Sequence, residues 1–424
     1  MTKTPSKKVF IHSKYVCERA KTDARKIAVY LQKNGYTIVN NPAQADLIIF
    51  NSCGYSNPIA QQCLKEIQKY KRYTAELVVI GGLPESDKKE YETIFTGKTI
   101  SHKDLKKIDM FFPQHTIKFN EIQDCNISWL TIDNTTVSGA LKKIATQTPL
   151  TKKIYTKFFD YTFKLTLGKH YMILSNPLDI PTDDIYRIEI ARGCSFHCSY
   201  CAIRKSIGPF HSKPFQSCID EFEHGLNKGS TTFYITAPDP GCYGTDIDTT
   251  YPILLDKLTS YHHEYSIGLD GLNPVWLVKY ISDLENIVRR GKIKVISIPI
   301  QSGSKRILTL MKRFSHIEKI SEAVQRIKTA YPPITLSTAG IVGFPSETDE
   351  EFKETIQAII TMDFDLGFIN PISIKPDTPA ECVEPKITPS DMRKRIVYAK
   401  TYLRHHRYNT FSTKTGGVVF GKKQ

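Results

Sequence analysis

A chain of 424 residues with 40% hydrophobic and 11% aromatic content has room for two or three domains and a sizeable core, which excludes a disordered or fibrous protein. No apolar run is long enough to cross a bilayer, and Met1–Lys8 lacks the apolar segment of a secretory signal, so the sequence argues against membrane and secreted classes. The net charge of +15 favours anionic partners such as nucleic acid or phosphorylated metabolites, or else serves solubility. Its ten cysteines are scattered rather than framed in pairs, as in a protein of the reducing cytoplasm.

In chain order, residues 8–100 predict a small open α/β sheet domain. Val9–His12, Asp46–Asn51 and Glu76–Ile80 are short apolar strands, with helical patterns over Ala20–Asn34 and Pro58–Tyr73. Ligands of such sheets bind past the C-terminal strand ends. Cys17, Cys53 and Gly81-Gly82 fall there, although buried inert thiols would read the same way. Residues 101–180 mix lysines with aromatic and β-branched residues and carry no motif, as a linker or insertion would.

From Tyr186 strand and helix alternate. The strands are Tyr186–Ala191, Thr232–Ala237, Ser266–Asp270, Lys294–Ile300, Thr335–Val342 and Gly367–Ile374. Between them lie helices near Pro214–Asn227, Tyr251–His262, Pro274–Arg290, Ile317–Tyr331 and Asp349–Met362. Six βα units in a row predict a parallel sheet curved into a partial (β/α)6 barrel over residues 181–385, with its functional groups at the C-terminal strand ends. A basic helix, Pro389–His406, and an extended tail close the chain over residues 386–424, and after residue 390 nine lysines and arginines face only Asp391. An anion-binding surface and an ordinary solvated helix face both fit that run.

The first barrel strand leads into Cys194, Cys198 and Cys201, spaced C-x3-C-x2-C. Three thiolates on one tight loop can hold three irons of a [4Fe-4S] cube and leave the fourth open. Zinc prefers four ligands in two separated pairs, and disulfides would leave one thiol over. Later strand ends carry Asp239-Pro240-Gly241, Gln301-Ser302-Gly303-Ser304 and Gly343-Phe344-Pro345-Ser346. Each run alone also fits an ordinary turn.

The order and spacing of these runs, with His211–Pro214, Tyr243–Asp246, Met311–Arg313, Tyr15–Cys17 and Asn51–Cys53, resemble the methylthiotransferase family of radical S-adenosylmethionine (SAM) enzymes. The resemblance implies a [4Fe-4S] cluster on Cys194, Cys198 and Cys201 that cleaves SAM to a 5′-deoxyadenosyl radical. It further implies a SAM pocket lined by Tyr200 at the adenine, Asp239, Gln301, Ser302, Gly303, Ser304, Arg313 and Gly343. A flavodoxin or ferredoxin would supply the electron. In the family a second cluster carries the sulfur, and here Cys17 and Cys53 match two of its three cysteines.

The chain also departs from the family. The third N-terminal cysteine falls on Gly82, so a further ligand would have to come from Cys63, Cys125, Cys242 or a non-cysteine group. An acidic residue near the SAM amino group falls on Thr232, and an aspartate before Ile341 falls on Ala339. The usual small RNA-binding β-barrel has no room after the last helix. These departures shift the expected function to methylthiolation, or related sulfur insertion, on a peptide or small molecule. The alternatives are a tRNA methylthiotransferase that uses the basic C-terminal helix, and a catalytically inactive cluster-binding RNA or scaffold protein.

Overall fold

The computed structural model describes residues 6–13, 18–122, 126, 185–413 and 415–423. Cys17, Cys125 and most of the expected linker lie outside the described residues. What is described falls into two compact units.

The first unit spans residues up to 122 together with Ala202–Gly208. Its strands are β1 (Lys8–His12), β2 (Thr37–Ile38), β3 (Leu47–Ser52), β4 (Glu76–Gly81) and β5 (Thr99–Ser101). They form a parallel sheet in the order β2-β1-β3-β4-β5. Alternate residues feed two cores, as the two-residue period of a strand dictates. Val9, Ile11, Ile49 and Ile80 pack with helix Glu18–Lys33, whereas Phe10, Ile48, Phe50 and Val79 pack with helix Asn57–Tyr70. Leu105, Ile108, Phe112, Phe119 and Ile122 complete the first of these cores, so residues 101–122 belong to this unit. The strand order reverses between β1 and β3, which places the ligand-binding crevice of such a sheet past His12 and Ser52.

The second unit holds residues 185–201 and everything described from Pro209 onward. The parallel strands β6 (Ile185–Glu189), β9 (Thr232–Thr236), β10 (Ser266–Leu269), β11 (Ile293–Ser297), β12 (Thr335–Val342) and β13 (Leu366–Pro371) lie side by side in chain order. Two short strands, β7 (Ala191–Arg192) and β8 (His211–Ser212), pair separately. Helices such as Phe215–Asn227, Ile317–Ala330 and Asp349–Thr361 bury their apolar stripes against the sheet in one continuous core.

Two expectations change here. The helix expected over Pro274–Arg290 is two, Pro274–Lys279 and Ile281–Val288, because Tyr280 leaves helical geometry while its ring stacks on Trp276 at 5.8 Å. The expected tail is an antiparallel hairpin, β14 (Tyr408–Ser412) and β15 (Val418–Lys422), and β15 extends the barrel sheet beside β13. Gly416 turns it at φ +83, and a Cβ on Gly417 would sit 2.5 Å from the carbonyl oxygen of Ile369.

Candidate active site

The cysteine loop is built before its chemistry is. β7 and β8 pair Ala191 with Ser212 and Arg192 with His211, which fastens the two ends of the excursion together. Gly193 enters the loop at φ +75, and a Cβ there would lie 1.9 Å from the carbonyl oxygen of Pro209. No side chain fits, so glycine is obligatory. Inside the loop, Ser199 N–H donates to the Met311 carbonyl at 3.0 Å and Ser199 Oγ to the Leu310 carbonyl at 2.7 Å. Ala380 N–H returns to the Ser199 carbonyl at 3.0 Å. Cys194, Cys198 and Cys201 are each left partly exposed.

Charged partners converge on this loop. Arg313 donates from Nη1 to Cys198 Sγ at 3.7 Å and from Nη2 to the Pro299 carbonyl at 2.7 Å. Burial works against the Arg313 charge, yet Tyr200 and Cys198 beside it outweigh burial and hold its pKa above the usual value. Asp239 is almost fully buried; Ser195 Oγ donates to its Oδ2 at 2.5 Å and Trp276 Nε1 to its Oδ1 at 2.9 Å. Burial pushes the Asp239 carboxyl up, and the two hydrogen bonds and Arg313 pull it back. Burial also pushes the Cys194 thiol up to about 12; Asp239 and the neighbouring thiols add to this, and the Phe196 N–H opposes it. Metal binding at that sulfur is therefore proton-releasing.

The residues present fit an iron–sulfur cube. Among the described residues no three His, Cys, Asp or Glu side chains are gathered about a point where a single metal ion would sit. A cube binds each thiolate to a different iron, so it needs the three sulfurs spread around a larger volume. Three thiols on one anchored loop, with a cation at one of them, supply that donor set.

Other expected SAM-pocket residues lie at the strand ends of the same unit, in different states. Tyr200 packs on Ile307, Leu308, Met311, Ile341, Phe344 and Ala380. Gln301 sits at φ +69, past the end of β11, and bridges to Gly340 of β12. Such a backbone is uncommon for a residue with a side chain and marks functional sites more often than chance. The Ser302 and Ser304 hydroxyls are engaged within the fold. Ser302 Oγ shares a hydrogen with Thr355 Oγ1 at 3.2 Å, while Ser304 Oγ donates to Glu351 and accepts from Ile307 N–H as a helix cap. A Cβ on Gly303 would lie 2.3 Å from the Glu354 carbonyl oxygen, so the run keeps its glycine for close helix packing. Gly343, at φ +82, donates its N–H to Glu347 Oε2 at 2.7 Å and faces Met392. Ala339 is half-buried on β12. Thr232 opens β9 at the strand's N-terminal end, opposite the end from which the cysteine loop departs, and so lies away from that loop.

Sequence reasoning missed Trp276, Ser195, Glu347 and Arg395. Trp276 had a signal, since Asn273-Pro274 is a helix-start pair directly after a barrel strand. Arg395 belongs to the basic run that fits either an anion-binding surface or a solvated face. It is buried, with Nη1 on Glu347 Oε2 at 2.9 Å and Nε on Asp349 Oδ1 at 2.8 Å.

In the first unit, Cys53 follows β3, and its Sγ accepts from Tyr55 N–H at 3.4 Å. Cys53 N–H donates to the buried Cys63 Sγ at 3.5 Å. A Cβ on Gly82 would meet Ser206 Oγ at 3.4 Å and Gly54 N at 3.8 Å. Cys242 belongs to the other unit, where its Sγ contacts Thr245 Oγ1 at 3.1 Å.

Both units find relatives. Residues 188–359 match the Radical SAM superfamily, and residues 8–100 match the family described as Uncharacterized protein family UPF0004. The threonylcarbamoyladenosine tRNA methylthiotransferase of Xenopus laevis is 27% identical over 414 residues, 97% of this chain and 67% of its own length. The probable threonylcarbamoyladenosine tRNA methylthiotransferase of Pyrococcus horikoshii is 25% identical over 88% of this chain and 78% of its own. The two matched domains and these relatives together support a member of the radical SAM methylthiotransferase family. The barrel match makes it a radical SAM enzyme, with a [4Fe-4S] cluster and SAM as cofactors. The chain spans about two thirds of the length of the vertebrate methylthiotransferases it matches, 67% for the Xenopus protein and 63% for the human one. In fold it is similar to the radical SAM methyltransferase TsrM of Kitasatospora setae, with a TM-score of 0.58 at 13% identity, over 88% of this chain and 77% of that one. No helix among the described residues of this methylthiotransferase-family protein is long and apolar enough to cross a membrane.

Proposed function

We propose that the protein methylthiolates a modified adenosine of tRNA: reductive cleavage of one SAM takes up the hydrogen, a sulfide-level donor supplies the sulfur, and a second SAM supplies the methyl group. The observation that carries this reading is that its similarity to threonylcarbamoyladenosine tRNA methylthiotransferases runs through both units, covering 97% of the chain for the Xenopus protein. A radical SAM core joined to an unrelated substrate domain would match over the barrel alone. The expected peptide or small-molecule substrate gives way to tRNA, since nothing in the comparisons favours it.

When bound, the cluster and SAM supply a carbon radical strong enough to take hydrogen from a C–H bond that offers no acid or base handle. The chain's own residues do the rest. Cys194, Cys198 and Cys201 would hold three irons of the cluster, and Arg313 places a positive charge at the Cys198 sulfur. Asp239 fixes the loop by gripping Ser195 and, through its other oxygen, Trp276. Tyr200 presents a ring on an apolar bed suited to a purine. Gln301 and Gly343, both in left-handed backbone conformations, shape the ends of the fourth and fifth barrel strands.

The test is anaerobic incubation of reconstituted protein with SAM, a reductant, sulfide and tRNA that carries the modified adenosine without its methylthio group, followed by mass spectrometry of the digested nucleosides. A methylthio mass gain on adenosine that rises with 5′-deoxyadenosine supports the reading. Formation of 5′-deoxyadenosine with no change in any tRNA nucleoside overturns it.

A further inference from the structure

We infer that helix Pro389–His405 and the turn after it carry a track for the phosphate backbone of RNA, ending at the mouth of the barrel. The inference rests on the proposal that tRNA is the substrate.

Helical geometry puts Arg393, Val397, Lys400 and Arg404 on one stripe at i, i+4, i+7 and i+11, and Arg407 continues it past the helix end. The stripe is about 16 Å long at 1.5 Å per residue. Arg393 and Arg404 are exposed, Lys400 is half-buried, and Val397 is 61% exposed, so this face is uncovered. Among the described residues, none of Arg393, Lys400, Arg404 and Arg407 makes an ion pair. Lys400 and Arg404 reach only neutral oxygens, Ser412 Oγ and the Thr410 carbonyl, which hold the side chains without cancelling their charge. The helix's other basic residues are satisfied differently. Lys394 pairs with Asp391 at 3.0 Å, and Arg395 is buried on Glu347 and Asp349. The helix carries a single acidic residue, Asp391 in its first turn, so nothing on it interrupts the stripe, which keeps one sign over three turns.

Two further features favour a nucleic acid over another polyanion. His405 and His406 are exposed beside the stripe, and the edge strand packed on this helix carries Phe411 at 43% exposure, which offers a flat face to a base. The stripe also leads somewhere. Arg393 follows Met392, whose sulfur lies against Gly343, and Arg395 locks the helix to Glu347 and Asp349 just past β12. A backbone held along the helix is thereby delivered to the strand ends where the reaction groups gather.

The experiment compares wild type with the triple variant Arg393→Gln/Lys400→Gln/Arg404→Gln, and with a matched triple that removes lysines elsewhere, Lys89→Gln/Lys257→Gln/Lys319→Gln. Retained iron content and an unchanged melting temperature show that each variant folds. Wild-type affinity for tRNA should fall steeply with salt, and the stripe variant should lose about 2 from the slope of log K against log salt and at least about tenfold in affinity. The matched variant should keep most of both. Equal losses in the two triples, or an unchanged slope in the stripe variant, overturn the track. Stripe-dependent binding by a protein that never methylthiolates tRNA supports the track and removes the proposed reaction, so the two readings fail separately.

Discussion

Arg313 touches Cys198: its Nη1 lies 3.7 Å from the sulfur while Nη2 donates to the Pro299 carbonyl at 2.7 Å. One planar guanidinium thus ties the cysteine loop after the first barrel strand to the end of the fourth. Lysine has a single ammonium and cannot hold both contacts in this fork. A cation at a cluster thiolate also favours the added electron.

Arg313→Lys is therefore expected to shift the cluster potential to more negative values and to slow 5′-deoxyadenosine formation by at least about tenfold, the equivalent of one lost charge-assisted hydrogen bond. A redox titration followed by electron paramagnetic resonance, with a single-turnover assay, reads both. A slower reaction at an unchanged potential would assign Arg313 to loop packing alone.

Gly193 and Gly229 have nearly the same backbone, φ +75 and +79, in different surroundings. Among the described residues, an added Cβ would lie 1.9 Å from the Pro209 carbonyl oxygen at Gly193 and would meet nothing within 4 Å at Gly229. Gly229→Ala should cost only the left-handed strain, about 1 kcal/mol. Gly193→Ala must also displace Pro209, for about 3 kcal/mol or more, and should lose iron from the barrel loop. Denaturant melts and iron counts on both proteins check this; equal costs would mean that the loop yields freely.

Much of this architecture is legible in the sequence because strand and helix periods differ. Thr335–Val342 reads as a strand and is one, residue for residue. The three cysteines could be read because their spacing alone limits what they can bind. What stayed hidden is long-range. Nothing local says that Arg395 leaves a run of exposed charges to meet Glu347, 48 positions away, or that Ser302 and Ser304 turn to helix Asp349–Thr361. The hairpin was different. Gly416-Gly417 between β14 and β15 is a local turn signal, although the run as a whole reads as an extended tail.

Glu347 gives a pH test. Burial pushes its carboxyl up to about 7, although Gly343 N–H and Arg395 pull the other way. Its Oε1 is a buried oxygen with no hydrogen-bond partner among the described residues. A carboxyl whose folded pKa is raised binds more protons folded than unfolded, so its contribution is full below the unfolded value and lost as pH rises through the folded one. Wild-type stability should thus fall relative to Glu347→Gln between about pH 4.5 and 7, by no more than about 3 kcal/mol. Chemical denaturation of both proteins across that range measures the difference. A pH-independent gap would show that Arg395 keeps Glu347 ionised throughout.

Gly81 and Gly82 are adjacent and have opposite reasons to be glycine. Gly81 sits at φ +117 with a would-be Cβ 2.1 Å from the Ser52 carbonyl oxygen, so it can be nothing else. Gly82 sits at φ −87, and a Cβ there has ordinary contacts, Ser206 Oγ at 3.4 Å and Gly54 N at 3.8 Å. Gly82→Cys should therefore fold with a melting temperature within a few degrees of wild type, and its thiol would stand beside the Cys53–Gly54 turn. We predict a second cluster in this unit, with Cys17 and Cys53 among its ligands. Wild type should then carry about eight irons per chain and Cys17→Ala/Cys53→Ala about four. Gly82→Cys should bind the second cluster more tightly and resist chelator longer. If wild type and the double variant both hold about four irons, while Gly82→Cys rises toward about eight, the crevice is a cluster site one ligand short. If all three stay near four, the first unit binds no cluster, and the transferred sulfur must reach the barrel from another donor.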